Sequence, residues 1–426
     1  MRGFKHLTWT ALVLLSAPAG AAVLHVPGEA QTIAQGVAAA SPGDTVVVAC
    51  GTYVEHDVVL DREITLRSET GDPACVVIDA ASEGRVFMSE DPSGEARIVG
   101  ITVTGGLAAG PGPFDAWGGG MLFIGASPTL VECRFTGNSA ARGGGLMLGG
   151  HGSPTVAGCT FSDNAAELGG GAFCFVTAAA FTGCTFLGNA AGTGGAIYAS
   201  LSTVTIGGST FHGNSGAEGS ALFGEQGTLY TAARSIISFG LAGEAVSCDG
   251  TSEASLSCCD VYGNAGGDWV GSIAGQDGGS GNFAADPRYC DAAAGDLGLR
   301  SSSPCLPDNQ PGGEPCGLIG AHEEGCEPVL SVDEVPCKGL VSLGAWPNPF
   351  EGSLEIVCTL PSTEPARLGI YDVGGRLVRS LEVAGPSGTV RWDGADEARR
   401  PLPAGAYYLR VEAGSRSGTR RVLLLR

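Results

Sequence analysis

Acid–base chemistry on a polysaccharide needs a base beside a sugar carbon acid, or two carboxyl groups facing each other across a glycosidic bond. The chain is short of both. No Lys lies between Lys5 and Lys338, and the repeated central region offers Arg134, Arg142 and Arg234. Arg134 occupies a strand position where neighbouring repeats carry Thr, which reads as a solvated surface residue. Asp163 and Glu167 share one turn, and Glu218 follows two repeats later, roughly 10 Å along the stack. The equivalent positions of adjacent repeats hold Gly or Ala, so no acidic column forms and no catalytic residue is assigned.

Two other sets suit binding better than chemistry. Phe114, Asp115 and Trp117 join aromatic faces to an acid within a segment that departs from the repeat, a composition suited to a sugar-binding loop. The bland alternative is a flap whose rings pack against the body. The column Met147, Phe173, Tyr198 and Phe223 is either an outward stacking platform or a buried ladder, since alternation alone does not choose the face.

The elements that would position these residues come from a repeat of about 25 residues. One phrase runs Cys133-Arg134-Phe135-Thr136-Gly137-Asn138, then Cys159 to Asn164, Cys184 to Asn189, Ser209 to Asn214 and Cys259 to Asn264. A second keeps step with it: Gly143-Gly144-Gly145-Leu146, Gly169 to Ala172, Gly194 to Ile197 and Gly219 to Leu222. Within the first phrase apolar and polar residues alternate, the period of a strand with one buried face. No helix-period segment supplies a crossover, so each short strand must pair with its counterpart in the next repeat, which makes a coil of a β-helix. Equivalent residues then stack into ladders: buried phenyl rings at Phe135, Phe161, Phe186 and Phe211, thiols at Cys133, Cys159 and Cys184, and amides at Asn138, Asn164, Asn189, Asn214 and Asn264.

Upstream, Ile101 to Gly106 and Gly118 to Met121 echo the two phrases with seven extra residues between them, so Leu107 to Trp117 is expected to loop out. Ile33 to Ala40 reads as a short amphipathic helix closing the open apolar end. Near the other end, Cys290, Cys305, Cys316 and Cys326 offer two disulfides of unassigned pairing.

Composition agrees with many tight turns: 71 of 426 residues are Gly and 7% are aromatic. Arg2 and Lys5, the apolar stretch from Leu7 to Leu15 and Ala19-Gly20-Ala21 read as a signal peptide over residues 1–22. An extracellular or outer-surface location follows as the expectation, with no membrane span in the mature chain. Fifteen Cys suit an oxidising compartment. Residues 23–341 hold 10 Lys or Arg against 35 Asp or Glu, a net of −25, whereas residues 342–426 hold 11 Arg against 9 Asp or Glu, a net of +2. An acidic body repels nucleic acid and anionic membrane. Ca²⁺ is a possible cofactor of such a body, its site unknown.

The paired phrases resemble the repeats of the chlamydial polymorphic outer membrane proteins, and the opening through Gly51-Thr52-Tyr53 is similar to the start of pectate-lyase-like β-helix proteins. The resemblance implies a right-handed parallel β-helix over residues 23–326, followed by a linker over 327–341. It implies no single activity, because the fold hosts lyases, hydrolases, esterases and adhesins. Residues 342–426 carry Trp346-Pro347-Asn348-Pro349-Phe350, Asp372-Val373-Gly374-Gly375-Arg376, Trp392-Asp393-Gly394 and Gly405-Ala406-Tyr407-Tyr408. These resemble the immunoglobulin-like domain of flagellar hook-capping proteins and the type A sorting domains read by the type IX secretion system. That likeness implies a small Ig-like β-sandwich acting as an export address. The expectation for the whole chain is an all-β, secreted or surface-attached adhesin that binds an extracellular polysaccharide or cell-surface glycan without cleaving it. The alternative is a pectate-lyase-like lyase or a glycoside hydrolase with its site near the 107–117 loop.

Overall fold

The computed structural model describes residues 21–90, 95–112, 114–312, 315–326, 342–346, 350, 352–359, 366–372, 375–383, 387–413 and 416–425. Residues 1–20 of the expected signal peptide over 1–22, and the expected linker over 327–341, lie outside them. The chain divides into two compact units between Val329 and Leu330.

The first unit is a parallel β-solenoid. One coil shows the rule: Thr155–Ala157, Thr160–Ser162, Ala165–Leu168 and Ala172–Phe175 each pair in parallel with the strand one coil further on. Repetition gives sheets of ten, nine, three and eight strands respectively. The ring ladder forms as the spacing requires. Phe135, Phe161, Phe186 and Phe211 stack at 4.6, 4.7 and 4.8 Å, with planes within 5° of parallel, and all are buried. The second phrase exists to admit those rings, since a Cβ on Gly171 would stand 2.9 Å from Phe186 Cδ1 and 2.8 Å from the Ala196 carbonyl.

The amide ladder is equally regular. Asn164 Oδ1 accepts from the backbone N–H of Asn138 at 3.1 Å and from its Nδ2 at 3.0 Å, and Asn189 and Asn214 repeat the pattern. Asp268 ends the run by accepting from Asn264 N, Asn264 Nδ2 and Gly263 N. Cys133, Cys159 and Cys184 are buried free thiols, and burial pushes Cys184 up to about 12, so they pack as small apolar groups.

The ends are closed differently. Helix Ile33–Ala39 is capped by Thr32, whose side chain accepts from Gln35 N–H, and buries Ile33, Gly36 and Val37. At the far end, residues 283–326 fold back along the nine-stranded sheet: Ala321 N–H donates to Thr210 Oγ1 at 2.9 Å, His322 Nε2 meets Thr185 Oγ1 at 2.9 Å, and Tyr289 and Ser238 share a hydroxyl contact of 2.8 Å. Cys290 pairs with Cys326, but Cys316 pairs with Cys258 and Cys305 stays free. The expectation that all four terminal Cys pair among themselves is corrected here. Cys258 stands beside the ladder Cys259 and is turned outward by its φ of 52°, which puts it against this terminal segment. A third disulfide, Cys50–Cys75, staples adjacent coils.

Under the terminal segment, Asp260 is fully buried and accepts from Ala285 N–H at 3.0 Å and from the Cys305 thiol at 3.2 Å. Desolvation, opposed by these bonds, pushes its carboxyl up to about 7, with Asp268 and Asp286 adding repulsion. The folded value lies above the unfolded one, so the folded state holds the proton longer. Its stabilising share is whole below about pH 4 and is lost as pH rises to about 7. His212 and His322, both lowered by burial, slope the other way, their share lost as pH falls. Denaturant midpoints of Asp260→Asn and the parent chain should therefore coincide near pH 4 and diverge in the variant's favour by pH 8; parallel curves would show that Asp260 does not titrate in this window.

The second unit is antiparallel. Ser342–Trp346, Leu354–Thr359 and Ser387–Trp392 form one sheet; Leu377–Val383, Ala366–Tyr371, Gly405–Ala413 and Arg416–Leu424 form the other. Trp392 fills the core between Phe350 and Tyr407, each 5.3 Å away. Its Nε1–H donates to Ala395 O at 2.9 Å. Among the described residues no helix is long and apolar enough to cross a membrane.

Candidate functional site

The coil is interrupted at residues 107–117. Leu107 bridges to Ser139 and Trp117 to Arg142, so both ends of the segment take strand places beside Ser139–Arg142 and the residues between them bulge outward. Arg85 clamps the bulge from the preceding coil, its Nη2 donating to the carbonyls of Phe114 and Asp115, each at 2.9 Å. The tip is tied by Asp115, whose carboxylate accepts from Gly112 N–H at 2.8 Å. Glycine is needed at the tip: Gly110 has a φ of 157°, and a Cβ on Gly110 or Gly112 would stand 2.6 Å from the Asp115 side chain.

The loop separates its own three candidate residues. Phe114 and Trp117 turn toward the outer surface of the eight-stranded sheet, where Trp117 meets Phe114 edge-on at 5.0 Å and lies 6.2 and 6.1 Å from Phe173 and Phe175. Both rings keep partial exposure. Asp115 turns the other way and is exposed, lining a recess of about 220 Å³ with Asp57, Glu83, Arg85 and Leu107. Arg85 is 8% exposed, its Nε has no partner, and burial pulls its guanidinium down against the opposing charges of Asp57, Glu90 and Asp115.

The column Met147, Phe173, Tyr198 and Phe223 satisfies parts of both expectations. Its residues point away from the solenoid core, yet they are buried in a second cluster with Leu122, against Phe114, Trp117 and Phe175. Phe173, Tyr198 and Phe223 stack on one another at 5.1 and 5.2 Å, so their faces are occupied by each other and only their edges turn outward. Arg142 lies 4.8 Å over the Trp117 ring, a cation–π contact. At the column's far end burial, together with the nearby Glu225 carboxylate, pushes the Tyr198 phenol up. Asp249 nearby is spent holding a turn, accepting from Gln226 N–H and Thr251 N–H, and is pulled well down by those bonds.

Asp163, Glu167, Glu218 and Arg134 are all exposed. The residues that sequence reasoning passed over are Arg85, Asp57 and Glu83 in the recess, and the stacking of Arg142 on Trp117. The last was legible: Trp117 precedes Gly118-Gly119-Gly120 as Arg142 precedes Gly143-Gly144-Gly145, which makes them equivalent places in successive coils. The recess was not, because the coils holding Asp57 and Arg85 lack both repeat phrases.

Among the described residues, one group brings three metal-ligating atoms within 4.8 Å, Cys50, Glu69 and Cys75, and its thiols are joined in a disulfide. The recess carboxylates do not converge in that way. Their arrangement does not fit Ca²⁺.

Comparison with known proteins agrees with the two units. The family described as right handed beta helix region matches residues 77–226, and the FlgD Ig-like domain matches residues 349–417. No curated protein is similar at a significant level. Among solved structures, pectate lyase Pel9A is 13% identical over 72% of this chain and 97% of its own, with a TM-score of 0.43. Two proteins of Porphyromonas gingivalis also match: PorU in its dimeric latent form, at 20% identity and a TM-score of 0.18, and PorZ, a surface component of the type IX secretion system, at 19% and 0.17. Each match covers 20% of this chain, which spans only 9% of PorU and 12% of PorZ. The chain thus carries a right-handed β-helix region followed by a FlgD Ig-like domain.

Proposed function

We propose that this is a secreted or surface-displayed β-helix protein that holds an extracellular polysaccharide or cell-surface glycan at the 107–117 loop without cleaving it. The C-terminal Ig-like unit serves as its export address, of the kind read by a type IX machinery. One observation carries the binding role: the loop is anchored at both ends by strand bridges and clamped by Arg85, with Asp115 exposed on a carboxylate-lined recess and Phe114 and Trp117 partly exposed on the loop's other side. A rigid rim of this kind is pre-organised, so little ordering cost falls on binding. Sugar hydroxyls are donors for Asp57, Glu83 and Asp115, and the ring edges offer apolar contact to the sugar's C–H surface.

A specific observation favours a second reading, cleavage of the same polysaccharide. Arg85 is a buried guanidinium whose Nε–H has no partner and which lines the recess with Asp57, Glu83 and Asp115, a donor of the kind that steadies charge developing on a sugar oxygen. Against it, the guanidinium is almost wholly enclosed and its Nη2 is committed to the loop carbonyls.

A glycan array probed with the full mature chain, with and without Ca²⁺, followed by product analysis of each bound glycan, separates the two. The expected result is Ca²⁺-independent binding with no new reducing or unsaturated ends, weakened roughly tenfold or more in Trp117→Ala, as for loss of a buried aromatic anchor. Release of sugar products that is lost in Arg85→Gln would establish the second reading instead.

A further inference from the structure

The recess beside the loop is more particular about its ligand than a general sugar site. Asp57, Glu83 and Asp115 stand exposed on its walls, and the one cation that lines it is Arg85. The three carboxylates differ in how far the fold uses them. Asp57 Oδ2 meets His56 Nδ1 at 3.0 Å, both side chains being about half exposed, and Asp115 Oδ2 accepts from Gly112 N–H at 2.8 Å. The Glu83 carboxylate has no partner among the described residues.

Arg85 is a second, independent mark of a ligand. Its side chain is 8% exposed, its Nη2 is given to the loop carbonyls of Phe114 and Asp115, and its Nε–H finds no acceptor among the described residues. A buried donor left without an acceptor is uncommon, and this one belongs to a residue that lines the recess. An oxygen of a bound molecule would satisfy it. The site therefore suits a molecule that brings both an acceptor for Arg85 and positive charge for the carboxylates around it.

Three classes of glycan meet that requirement differently. A polyuronate brings carboxylates to a wall of carboxylates, at a range too short for salt to screen, and the guanidinium there is almost wholly enclosed. No Lys of the solenoid offsets this, since none lies between Lys5 and Lys338. A neutral glycan brings hydroxyl donors but leaves the carboxylates partly desolvated without counter-charge. An amino sugar brings both parts: its ammonium makes charge-assisted hydrogen bonds, roughly twice as strong as neutral ones, and its hydroxyl and ring oxygens are acceptors. A bare divalent ion fits less well, because the carboxylates do not gather round one point. At about 220 Å³ the recess is smaller than the roughly 300–1,000 Å³ of a pocket for a drug-sized ligand, so it takes one residue of a longer sugar chain. We propose that the recess binds a polysaccharide with free amines, of the glucosamine type, Asp57, Glu83 and Asp115 holding the ammonium and Arg85 donating to a sugar oxygen. This assignment rests on the glycan reading of the loop and narrows it to one chemical class.

The test titrates the full mature chain, by calorimetry, with oligomers of glucosamine, of N-acetylglucosamine and of galacturonate, all of one length. The glucosamine oligomer should bind roughly tenfold or more tighter than its acetylated counterpart, with an affinity that falls as salt is raised, and the galacturonate oligomer should not bind. Glu83→Gln removes a carboxylate that holds nothing in the fold, so the unfolding midpoint should stay while the preference for the amine falls roughly tenfold. Glu253→Gln removes an exposed carboxylate at the far end of the ten-stranded sheet and should change neither, which separates a site from the general attraction of a polycation to an acidic chain. Equal losses in the two variants overturn the proposal. So does equal affinity for the amine and acetylated oligomers, or a preference for galacturonate; if Trp117→Ala weakens that binding, the loop is a glycan site of another class. Binding of none of the three overturns it as well, and the glycan array then decides whether the wider reading falls with it.

Discussion

Replacing Asn164 with Ala should destabilise the solenoid by about 3–6 kcal/mol, an effect read as a lowered denaturant midpoint at unchanged slope. The size follows from what the amide holds. Its Oδ1 accepts from the backbone N–H and the Nδ2 of Asn138, and its own Nδ2 donates to Phe135 O and to Asn189 Oδ1. Ala leaves the Asn138 backbone N–H and one Asn138 Nδ2 hydrogen without an acceptor where water cannot reach, Asn138 and Asn164 being 1% exposed, and takes the amide donor from Phe135 O. Each such orphan costs about 1–3 kcal/mol. Asn164→Asp should be no milder, since it keeps the acceptor but turns a second carboxylate oxygen toward Phe135 O and Asn189 Oδ1, with a buried charge to desolvate. An exposed residue of the same coil such as Glu167 should tolerate Ala within about 0.5 kcal/mol. Equal effects at Glu167 and Asn164 would mean that the ladder does not carry the turn.

Phe186→Ala should cost about 3–5 kcal/mol. The ring is fully buried, lies between Phe161 at 4.7 Å and Phe211 at 4.8 Å, and takes the edge of Phe181 at 5.8 Å. Its removal leaves a void that the coil cannot close, because the 4.8 Å backbone ladder fixes the strands on both sides. Phe186→Leu should recover about half of the loss by refilling volume without restoring the stack. The free energy should fall in the central coils first, since a solenoid couples each coil mainly to its neighbours. Hydrogen exchange would register that as lost protection at Thr185 to Leu187 and the strands paired to it, with the Ig-like unit unaffected. Uniform loss across both units would contradict this account.

Wherever the two phrases recur, the fold was legible residue by residue. Phe135, Phe161, Phe186 and Phe211, the Asn ladder, the buried thiols, the closing helix and the outward loop were all readable, because stacking one coil on the next turns sequence period directly into spatial contact. Legibility failed where that period fails. Cys258 follows a strand end, and nothing in its spacing marks it as the partner of Cys316; the pairing arises because residues 283–326 fold back on the outside of the coil, a contact between segments far apart in the chain. Arg85 and Asp57 belong to coils without either phrase, so the reach of Arg85 to the loop carbonyls and the place of Asp57 in the recess had no periodic signature. The column Met147, Phe173, Tyr198 and Phe223 was ambiguous for a different reason: inward and outward rows of the eight-stranded sheet are both apolar, since the outer one is roofed by Phe114 and Trp117, and alternation carries no sign when both faces are covered.

The distinction between a structural roof and a binding rim falls on the segment from Ala109 to Asp115. A chain in which these residues are replaced by a short Gly-Ser bridge, keeping the strand bridges of Leu107 and Trp117, tests the central claim most directly through glycan binding measured beside the unfolding midpoint. The account predicts a solenoid that still folds and unfolds cooperatively, at a midpoint lowered by the loss of the Phe114 roof and of the carbonyls that hold Arg85, and that no longer binds the glycans the parent holds. Retained binding by a fully folded variant would contradict the account and move the site away from the loop.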